Sequence, residues 1–269
     1  MRAGTFTVDD FKVYGQLGSR AIAVLIRVQE LISARGPYQY VEVGSFMGRS
    51  LQPHIQDADC TRAVSIDLRP DVTPDERGAL DDYEGISAED MIKGLAEHCS
   101  ADDLAKLETI TDTSDALRRF EPEQFDLAFI DGEHTHVAAF RDFLNVFRVM
   151  RPNGVICFDD TTLVLAGIRN ALTLLEERGV PHAMAFGRGE ITVVALGEQS
   201  QALIDALGED LTRPEARVER SARRRMSEVA LRDARPHMLT EDKVVRRKII
   251  NAMREDGWTV SRVDSDQLV

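Results

Sequence analysis

The sequence predicts an α/β fold in which helices cover both faces of a mostly parallel β-sheet. Three observations lead to this prediction. Short apolar segments, including residues 40–43, 63–66 and 125–130, alternate with longer amphipathic stretches. Several of these segments end in an acidic residue, which places carboxylates at the carboxyl edge of a parallel sheet. Later in the chain, segments 183–187 and 191–196 are separated by a short turn, so they predict a closing antiparallel hairpin.

The first strand runs into a glycine-containing turn and then into a helix. Residues 40–50 read YVEVGSFMGRS. Gly44 allows a sharp turn without a Cβ clash, and Gly48 allows backbone and ligand to approach closely where a helix N-terminus offers unpaired N–H groups. The carboxylate of Glu42 is able to accept hydrogen bonds from a ligand amine or hydroxyl. The pattern predicts a site for a nucleotide-like cofactor, although a turn without any ligand fits the same glycines.

Two further strands end in polar residues. Residues 63–67 form a short apolar strand that closes on Asp67, about twenty positions after the glycine turn, where a carboxylate often binds a ribose. Nicotinamide enzymes use such a carboxylate too, so Asp67 does not choose between cofactors. Strand 107–111 runs into Asp112, Thr113 and Ser114, where a polar side chain is also suited to cap the helix predicted near residue 115.

The most specific motifs are FDLAFIDGEH at residues 125–134 and RPNGVICFDD at residues 151–160, with an amphipathic helix between them. They offer the carboxylates of Asp131, Asp159 and Asp160, and such oxygens suit Mg²⁺. Two carboxylates about 4 Å apart repel by roughly 4 kcal/mol at a dielectric of about 20, so three together call for a cation or for protonation. Neighbouring strand residues point to opposite faces, so Asp159 and Asp160 share a site only if the strand bends there. Otherwise Asp160 caps the helix predicted over residues 163–178.

These motifs resemble class I S-adenosylmethionine-dependent methyltransferases. The pattern E-x-G-x-x-x-G at residues 42–48 resembles their first motif more than the G-x-G-x-x-G of dinucleotide-binding dehydrogenases. F-I-D-G-x-H at residues 129–134, followed by a strand closing on two acids, is similar to the metal-dependent O-methyltransferases of the macrocin and mycinamicin type, which modify sugars of natural products. The resemblance covers about residues 36–197. It implies a seven-stranded Rossmann-like sheet with an antiparallel last strand.

The resemblance also implies the site residues. Asp131, Asp159 and Asp160 would hold Mg²⁺ or a similar divalent cation, which lowers the pKa of an acceptor hydroxyl. His134 matches a histidine with the suggested role of general base, though it also fits an early position of the following helix. The loop after residue 111 corresponds to the usual adenine contact. The residues expected to bind S-adenosylmethionine are Glu42, Gly44, Ser45, Gly48, Ser50, Asp67, Asp112, Thr113 and Asp131.

Composition limits the partners. The 269 residues carry a formal net charge of −13, which argues against nucleic acid because phosphate binding needs a basic surface. No apolar run is long enough for a membrane helix, and the N-terminus lacks a signal-peptide core, so a cytoplasmic location is expected. The three cysteines are widely spaced, which favours reduced thiols over a disulfide framework or a zinc site.

The predicted organisation is an N-terminal helical segment (1–36), a cofactor-binding core (37–198) and a C-terminal helical extension (199–269). One or two helices are predicted over 8–35, and further helices over 214–234 and 241–256. Residues 69–106 form a long connection, part of which is expected to cover the site as a lid; within it, Tyr83 is either a substrate contact or a surface tyrosine. Residues 211–254 contain 13 Lys and Arg against 6 Asp and Glu. This basic stretch is either a solvated face or a clamp on the acidic body of its own or a neighbouring subunit, so a homo-oligomer is possible.

The expected function is metal-assisted methyl transfer to a hydroxyl of a small molecule, such as a sugar-bearing natural product. Two other classes stay open. A nicotinamide-dependent oxidoreductase shares the carboxylate after the second strand, and a non-catalytic assembly protein would bind the cofactor without turnover. The uneven charge of the C-terminal stretch is the one feature that favours the assembly protein.

Overall fold

A computed structural model describes residues 6–70, 72–83 and 85–233 of the chain. The chain divides into two compact units, residues 1–226 and residues 227–269. The sheet and the cavity described below belong to the first unit. The predicted boundaries after residues 36 and 198 stay predictions, and the helix predicted over 241–256 lies outside the described residues.

The described elements alternate between strands and helices as the sequence predicts. The strands are β1 (Tyr38–Val43), β2 (Cys60–Ile66), β3 (Val72–Pro74), β4 (Leu80–Asp82), β5 (Leu107–Ile110), β6 (Phe125–Ile130), β7 (Met150–Phe158), β8 (His182–Phe186) and β9 (Thr192–Leu196). The α-helices are α1 (Ser19–Ser33), α2 (Leu51–Gln56), α3 (Ala88–Ala96), α4 (Ala101–Leu104), α5 (His136–Val149), α6 (Thr161–Glu177), α7 (Ser200–Leu207) and α8 (Glu215–Asp233). Short 3-10 helices cover Val8–Asp10, Ser114–Arg119 and Arg188–Glu190.

Seven strands form one sheet in the order β5-β2-β1-β6-β7-β9-β8. The pairs β5/β2, β2/β1, β1/β6 and β6/β7 are parallel, whereas β9 runs antiparallel to both β7 and β8. The predicted fold class and the closing hairpin are therefore confirmed. The chain moves outward from β1 through β2 to β5 and then returns to β6 on the other side of β1. Ligands of open α/β sheets bind at such a reversal, outside the carboxyl ends of the strands.

Each face of the sheet carries its own hydrophobic core, because successive strand side chains point to opposite faces. In β1, Val41 and Val43 face the core that α5 and α6 cover, whereas Tyr38 and Tyr40 face the core beneath α1, α2, α3 and α7. Strands β6 and β7 alternate in the same way. This double burial holds the carboxyl ends of β1 and β6 at fixed positions.

One or two helices were predicted over residues 8–35, and the structure has two, the 3-10 helix Val8–Asp10 and α1. Residues 11–18 between them are not helical. The side chain of Gln52, 2% exposed, explains this non-helical segment. Its carbonyl oxygen accepts hydrogen bonds from the backbone N–H groups of Lys12 and Val13, at 2.9 and 3.1 Å, and so holds this segment away from a helical path. Gly15 and Gly18 also disfavour helix here.

One other local expectation was wrong. The Pro-Asn-Gly sequence at residues 152–154 predicts a turn before the last parallel strand. The turn predicted at residues 152–154 is part of strand β7, which begins at Met150 and pairs with β6 through a register shift between Phe125 and Leu127. The long connection after β2 contains the two-stranded hairpin of β3 and β4, followed by α3 and α4. The hydroxyl of Ser87 caps α3 by accepting a hydrogen bond from the N–H of Asp90.

The structure describes the three cysteines and the helices, on which two of the composition-based expectations depend. Cys60 and Cys157 are buried free thiols, and Cys99 is a half-buried free thiol. Across the described part of the chain, every helix is too short or too polar to traverse a lipid bilayer.

Candidate active site

A cavity of about 490 Å³ lies outside the carboxyl ends of the strands, at the point where the strand order reverses. Volumes of this size are typical of small-molecule sites. Residues that follow β1, β2, β5, β6 and β7 line it, together with residues 15–18 of the N-terminal segment and Gly189 and Glu190 between β8 and β9. The sheet topology therefore brings together most of the residues predicted separately from the sequence.

Gly44 allows β1 and β6 to end side by side. Its φ is 84°, and a Cβ at this position would overlap the carbonyl oxygen of Asp131 and lie 2.7 Å from the Cα of Gly132. Gly48 also has a positive φ, of 83°, but a Cβ there would meet the side chains of Met91 and Leu95 in α3. The predicted role of Gly44 in the turn agrees with this geometry. Gly48 instead permits close packing of the turn against α3.

Asp67 holds the glycine turn in place. Its Oδ2 accepts hydrogen bonds from the backbone N–H groups of Ser45 and Phe46, both at 2.9 Å, and its Oδ1 accepts one from Arg69 at 2.8 Å. Phe46 takes a left-handed conformation with φ of 46°, and the guanidinium of Arg69 donates to its carbonyl. Asp67 lines the cavity as predicted, and it also determines the shape of the turn.

Glu42 was predicted as a direct cofactor ligand, but the structure places it behind the cavity wall. It is fully buried and lies outside the set of described residues that line the cavity. Tyr40, two residues earlier on the same face of β1, donates a hydrogen bond of 2.5 Å to Oε2. Burial raises the pKa of Glu42 to about 7, against the smaller lowering effects of Tyr40, Ser50 and Ser45. The carboxylate therefore supports the turn from beneath.

The loop after β5 lines the cavity through Asp112, Thr113 and Ser114. Asp112 Oδ1 accepts a hydrogen bond from the N–H of Thr113 at 2.8 Å, and its Oδ2 pairs with Arg119 at 3.1 Å. Ser114 donates to Oδ1 of Asp142 at 2.6 Å. Residues 114–119 form a 3-10 helix, so the predicted contact with a base and the predicted helix start occupy the same loop.

Asp142 and its neighbour Arg141 also line the cavity and were missed by the sequence reasoning. Asp142 is 2% exposed and projects from the buried face of α5, between Ala139 and Val146. Burial raises its pKa. A charged residue on the apolar face of an amphipathic helix is a recognisable signal, because such a position needs a specific partner. That signal would have identified Asp142 from the sequence.

The remaining predicted residues meet around His134. Strand β7 ends at Phe158, and Asp160 turns the chain with φ of 47°, so the bend required for Asp159 and Asp160 to share a site is present. The imidazole Nε2 of His134 lies 3.6 Å from Oδ1 of Asp131, and Nδ1 lies 3.3 Å from Oδ2 of Asp160. Asp160 occupies the N-cap position of α6, but its side chain makes no capping hydrogen bond. Its carboxylate faces His134 instead.

Burial and neighbouring charges shift the pKa values of the residues in this cluster. Burial lowers the pKa of His134, but its hydrogen bond to Asp131 and the charges of Asp131, Asp160 and Asp159 outweigh burial and raise that pKa to about 10. Burial raises the pKa of Asp131 to about 6, because it outweighs the opposing effect of His134. The pKa of Asp159 is raised well above its ordinary value by burial and by repulsion from Asp131 and Asp160. The site therefore favours an imidazolium among partly protonated carboxylates.

The predicted metal site does not take the expected form. Within residues 6–70, 72–83 and 85–233, no three or more His, Cys, Asp or Glu side chains are arranged to hold a metal ion. The donor chemistry of Asp131, Asp159 and Asp160 suits Mg²⁺. However, Asp131 and Asp160 lie on either side of the His134 ring, so their oxygens are directed at the imidazole. The arrangement does not fit a common cation, and the prediction of Mg²⁺ is not confirmed.

Glu190 completes this side of the cavity, and Arg213 and Arg225 contact the acidic residues there. Glu190 has a positive φ of 71°. Its carboxylate accepts a hydrogen bond from the N–H of Thr162 at 3.1 Å and pairs with the guanidinium of Arg213 at 2.8 Å. Arg225 of α8 donates to the hydroxyl of Thr162 at 2.9 Å and lies 3.6 Å from Asp160. Part of the basic stretch thus contacts acidic residues of its own chain. Nothing local in the sequence links these residues to the site.

The β3–β4 hairpin and the residues after it border the same cavity. The role of the hairpin as a lid stays a prediction. Glu76, between the two strands, donates its N–H to the carbonyl of His134 at 2.8 Å. Its carboxylate accepts a hydrogen bond of 2.8 Å from the N–H of His136, at the start of α5. Val72, Thr73, Tyr83 and Ile86 line the cavity. The hairpin is therefore attached directly to the loop that carries His134.

Comparison with known proteins identifies the type of domain. Residues 41–161, somewhat less than half of the chain, match a family model described as a methyltransferase domain. The matched stretch runs from β1 to the first residue of α6 and contains most of the cavity residues. The match confirms the predicted methyltransferase domain over these residues, whereas the macrocin and mycinamicin type is not confirmed. The match favours neither the nicotinamide oxidoreductase nor the assembly protein.

Solved structures offer more distant comparisons. An O-methyltransferase from Bacillus cereus, solved in complex with SAH, is 17% identical with a TM-score of 0.48, over 71% of this chain and 87% of that chain. The O-methyltransferase TomG from Streptomyces achromogenes, involved in tomaymycin synthesis and solved with SAM, is 16% identical with a TM-score of 0.46, over 73% of this chain and 99% of that chain. At this level of similarity, the ligands and substrates of these proteins cannot be assigned to this chain. No curated protein matches the chain.

Proposed function

We propose that this chain transfers a methyl group from S-adenosylmethionine to a hydroxyl of a small molecule. The observation that carries the proposal is the position of the cavity, which lies at the reversal of the strand order and is lined mostly by residues of the methyltransferase-domain match. Parallel sheets bind nucleotide-like cofactors at this point. The volume of about 490 Å³ is in the range of small-molecule sites.

Different residues of the chain bind different parts of the cofactor in this proposal. Gly44 and the amides around it form a narrow turn, and Asp67 holds that turn while facing the cavity. Asp112, Thr113 and Ser114 offer polar groups of both hydrogen-bonding types on the far side. We assign ribose recognition to Asp67 and base recognition to the loop of Asp112. Glu42 supports the turn from the core.

His134 is the residue we propose to accept the hydroxyl proton. When bound, S-adenosylmethionine supplies the electrophilic methyl group together with one positive charge. A positive charge in the same cavity lowers the pKa of His134, because it opposes protonation of a nearby ring. Asp131 and Asp160 lie beside the two ring nitrogens. The neutral imidazole carries one N–H, which one of these carboxylates accepts, and its other nitrogen takes the proton of the acceptor hydroxyl. The protonated ring that forms is then stabilised by the same carboxylates.

The proposed acceptor presents several hydroxyl groups, as a sugar does. His134, Asp160 and Glu190 all line the cavity, and ionised carboxylates are hydrogen-bond acceptors only. Neighbouring hydroxyls of a sugar supply the matching donors. A sugar-bearing natural product is therefore the acceptor class that we favour. The three aspartates are chemically suited to Mg²⁺, but they are arranged around His134, so the proposed reaction includes no step through a metal ion.

Calorimetric titration tests the cofactor assignment. We expect S-adenosylhomocysteine to bind and NADH not to bind. Asp67→Ala should weaken S-adenosylhomocysteine binding by roughly 1–3 kcal/mol, the usual value of a hydrogen bond to a charged group. Asp102→Ala, at an aspartate on α4 outside the cavity, serves as the matched control and should leave the affinity unchanged. Binding of NADH in place of S-adenosylhomocysteine would refute the proposal.

A further inference from the structure

Three aromatic side chains from distant parts of the sequence meet beside the cavity. Tyr14 comes from the N-terminal segment, Phe46 from the glycine turn and Tyr83 from the end of the β3–β4 region. The ring centroids of Tyr14 and Phe46 are 6.0 Å apart, and those of Phe46 and Tyr83 are 5.4 Å apart. Both distances lie in the range of favourable aromatic pairs. The three rings form a continuous surface, called here the aromatic wall.

The aromatic wall belongs to an unusually exposed apolar region. Tyr14 is 69% exposed, Leu68 55% and Val72 46%, and these are the three most exposed large apolar side chains among the described residues apart from Val137 on α5. Phe46, Leu68, Val72 and Tyr83 all line the cavity. Exposed apolar surface that borders a cavity commonly marks a ligand-binding surface, because leaving it in water is unfavourable. The rim of the cavity therefore favours an apolar ligand group.

The exposure of Tyr14 does not result from a loosely attached segment. Gln52 binds the backbone of Lys12 and Val13, and it donates a hydrogen bond of 2.8 Å to the carbonyl of Asp10. Arg49 donates to the carbonyl of Gly15 at 3.2 Å. Val13 is buried. The chain thus fixes the residues on both sides of Tyr14 while leaving its ring exposed.

The N-terminal segment lies on the catalytic side of the cavity. A Cβ at Gly189 would meet the backbone of Arg20 and Ala21 at the start of α1, so the 3-10 helix of Arg188–Glu190 packs against that region. The next residue, Glu190, binds the N–H of Thr162, two positions after Asp160. Residues 15–18 therefore line the cavity near the end that carries the carboxylates. This placement associates Tyr14 with the acceptor end of the cavity, whereas Phe46 belongs to the turn that Asp67 holds, so the aromatic wall extends from the cofactor turn toward the acceptor end.

We propose that Tyr14, Phe46 and Tyr83 bind a planar apolar group of the methyl acceptor, next to the part that presents its hydroxyls to His134. The inference rests on the proposed methyltransferase function and refines its substrate class. The acceptor is then an amphipathic molecule, a glycoside with an aromatic or conjugated aglycone, and not a free sugar. Tyr14 and Tyr83 determine this specificity through ring contact, and Phe46 links them.

Two glucosides with identical sugar hydroxyls test the proposal: 2-naphthyl β-D-glucoside and methyl β-D-glucoside. Their binding is measured by equilibrium dialysis in the presence of S-adenosylhomocysteine, so turnover is not needed. We expect the wild-type chain to bind the naphthyl compound at least about 10-fold more tightly, because only its aglycone covers the wall. Tyr14→Ala should remove most of this preference, and Tyr83→Ala should do the same. Tyr14→Phe, which keeps the ring, should retain it.

Leu144→Ala is the matched control, because Leu144 is 41% exposed on α5 and lies outside the cavity lining. It should leave both affinities unchanged. Equal binding of the two glucosides by the wild-type chain would overturn the proposal, and so would a naphthyl preference that survives in both tyrosine variants. Calorimetry with S-adenosylhomocysteine alone is the separate test of the cofactor. If Tyr14→Ala weakens that binding as much as it weakens naphthyl binding, the wall contacts the cofactor and the acceptor proposal fails.

Discussion

The imidazole of His134 lies 3.3 Å from the carboxylate of Asp160, a residue in the left-handed conformation at the start of α6. That conformation directs the carboxylate toward the ring instead of the exposed amides of the helix. Arg225 lies 3.6 Å from the other oxygen of the same carboxylate. Asp160 is therefore held between two basic side chains, and it contributes directly to the charge state of His134.

The first prediction concerns the pH dependence of the reaction. The pKa of His134 is raised to about 10 by Asp131, Asp160 and Asp159, so most of the ring is protonated at neutral pH. Only the neutral ring accepts a proton. The positive charge of bound S-adenosylmethionine lowers that pKa, so we expect kcat to increase with pH up to a pKa below 10, with the neutral fraction growing about tenfold per pH unit on the rising limb. A methyl-transfer assay at saturating cofactor and hydroxyl acceptor measures this profile.

Two variants identify His134 as the source of that profile. His134→Ala should lower the rate by roughly 100- to 10,000-fold, the usual contribution of a positioned base. Asp160→Asn removes one of the charges that raise the pKa of His134, so the rising limb should move to lower pH. A pH profile that is unchanged in Asp160→Asn would show that another group controls proton transfer.

The second prediction concerns the stability contribution of Glu42. Its pKa is raised from 4.5 to about 7, chiefly by burial, so the native state keeps a proton that the unfolded state loses between about pH 4.5 and pH 7. Wild-type stability should therefore fall as pH rises through this window. Glu42→Gln keeps the shape without the buried charge, so its free energy of unfolding should exceed that of the wild type by about 3 kcal/mol above pH 7. Urea unfolding at acidic and alkaline pH measures the difference.

At low pH the two proteins should have similar stability, because Glu42 is protonated in both states. Tyr40→Phe provides a related control, since it removes the hydrogen bond to Oε2 and leaves the carboxylate. It should raise the pKa of Glu42 further, so the fall in stability should extend to higher pH and become larger in total. A Glu42→Gln variant that is less stable than the wild type at every pH would contradict this account.

The sequence carried enough local information to predict the sheet and most of the cavity. Apolar segments that end in Gly44, Asp67 or Asp131 identify strand ends, and parallel strands bring such ends together. Because strand side chains alternate between faces, Glu42 lies on the same face of β1 as Tyr40, which is part of a hydrophobic core. One carboxylate in a strand sequence does not reveal whether helices cover that face, so the burial of Glu42 was not predicted. Glu190 and Arg225 reach the site only through tertiary contacts, so no local pattern identifies them.

The third prediction tests whether residue 44 must be glycine because of its positive φ or because of its close contact with Asp131. Gly44→Ala places a Cβ on the carbonyl oxygen of Asp131, so the ends of β1 and β6 must move apart. We expect a loss of several kcal/mol in unfolding free energy and loss of S-adenosylhomocysteine binding. The variant therefore tests fold and site together, since this glycine cannot be replaced without disturbing the sheet edge.

Gly179→Ala is the matched control for that experiment. Gly179 has φ of 64°, and no described atom lies within 4 Å of the position that a Cβ would take, so alanine there adds conformational strain without overlap. The cost should be roughly 1–2 kcal/mol, and cofactor affinity should not change. Equal destabilisation by both substitutions in thermal unfolding would mean that backbone strain, not the contact with Asp131, explains Gly44.

The last prediction concerns the divalent cation that the sequence pattern suggested. Asp131 and Asp160 are directed at His134, whose protonated ring supplies the positive charge that a cluster of carboxylates requires. We therefore expect chelation with EDTA to leave both S-adenosylhomocysteine binding and methyl transfer largely unchanged. Asp159→Asn removes a buried carboxylate that has a strongly raised pKa, so it should not reduce stability above pH 7.

Metal analysis of the purified chain, combined with activity before and after EDTA, provides the measurement. If EDTA abolishes methyl transfer and added Mg²⁺ restores it, the ion suggested by the sequence is required, and His134 must leave the space between Asp131 and Asp160 during the reaction. The Asp159→Asn variant then distinguishes the two arrangements once more. If Asp159 is a metal ligand, the Asp159→Asn variant should lose the metal ion. If Asp159 only adds negative charge near His134, the substitution should instead lower the pKa of His134 and shift the activity profile toward lower pH.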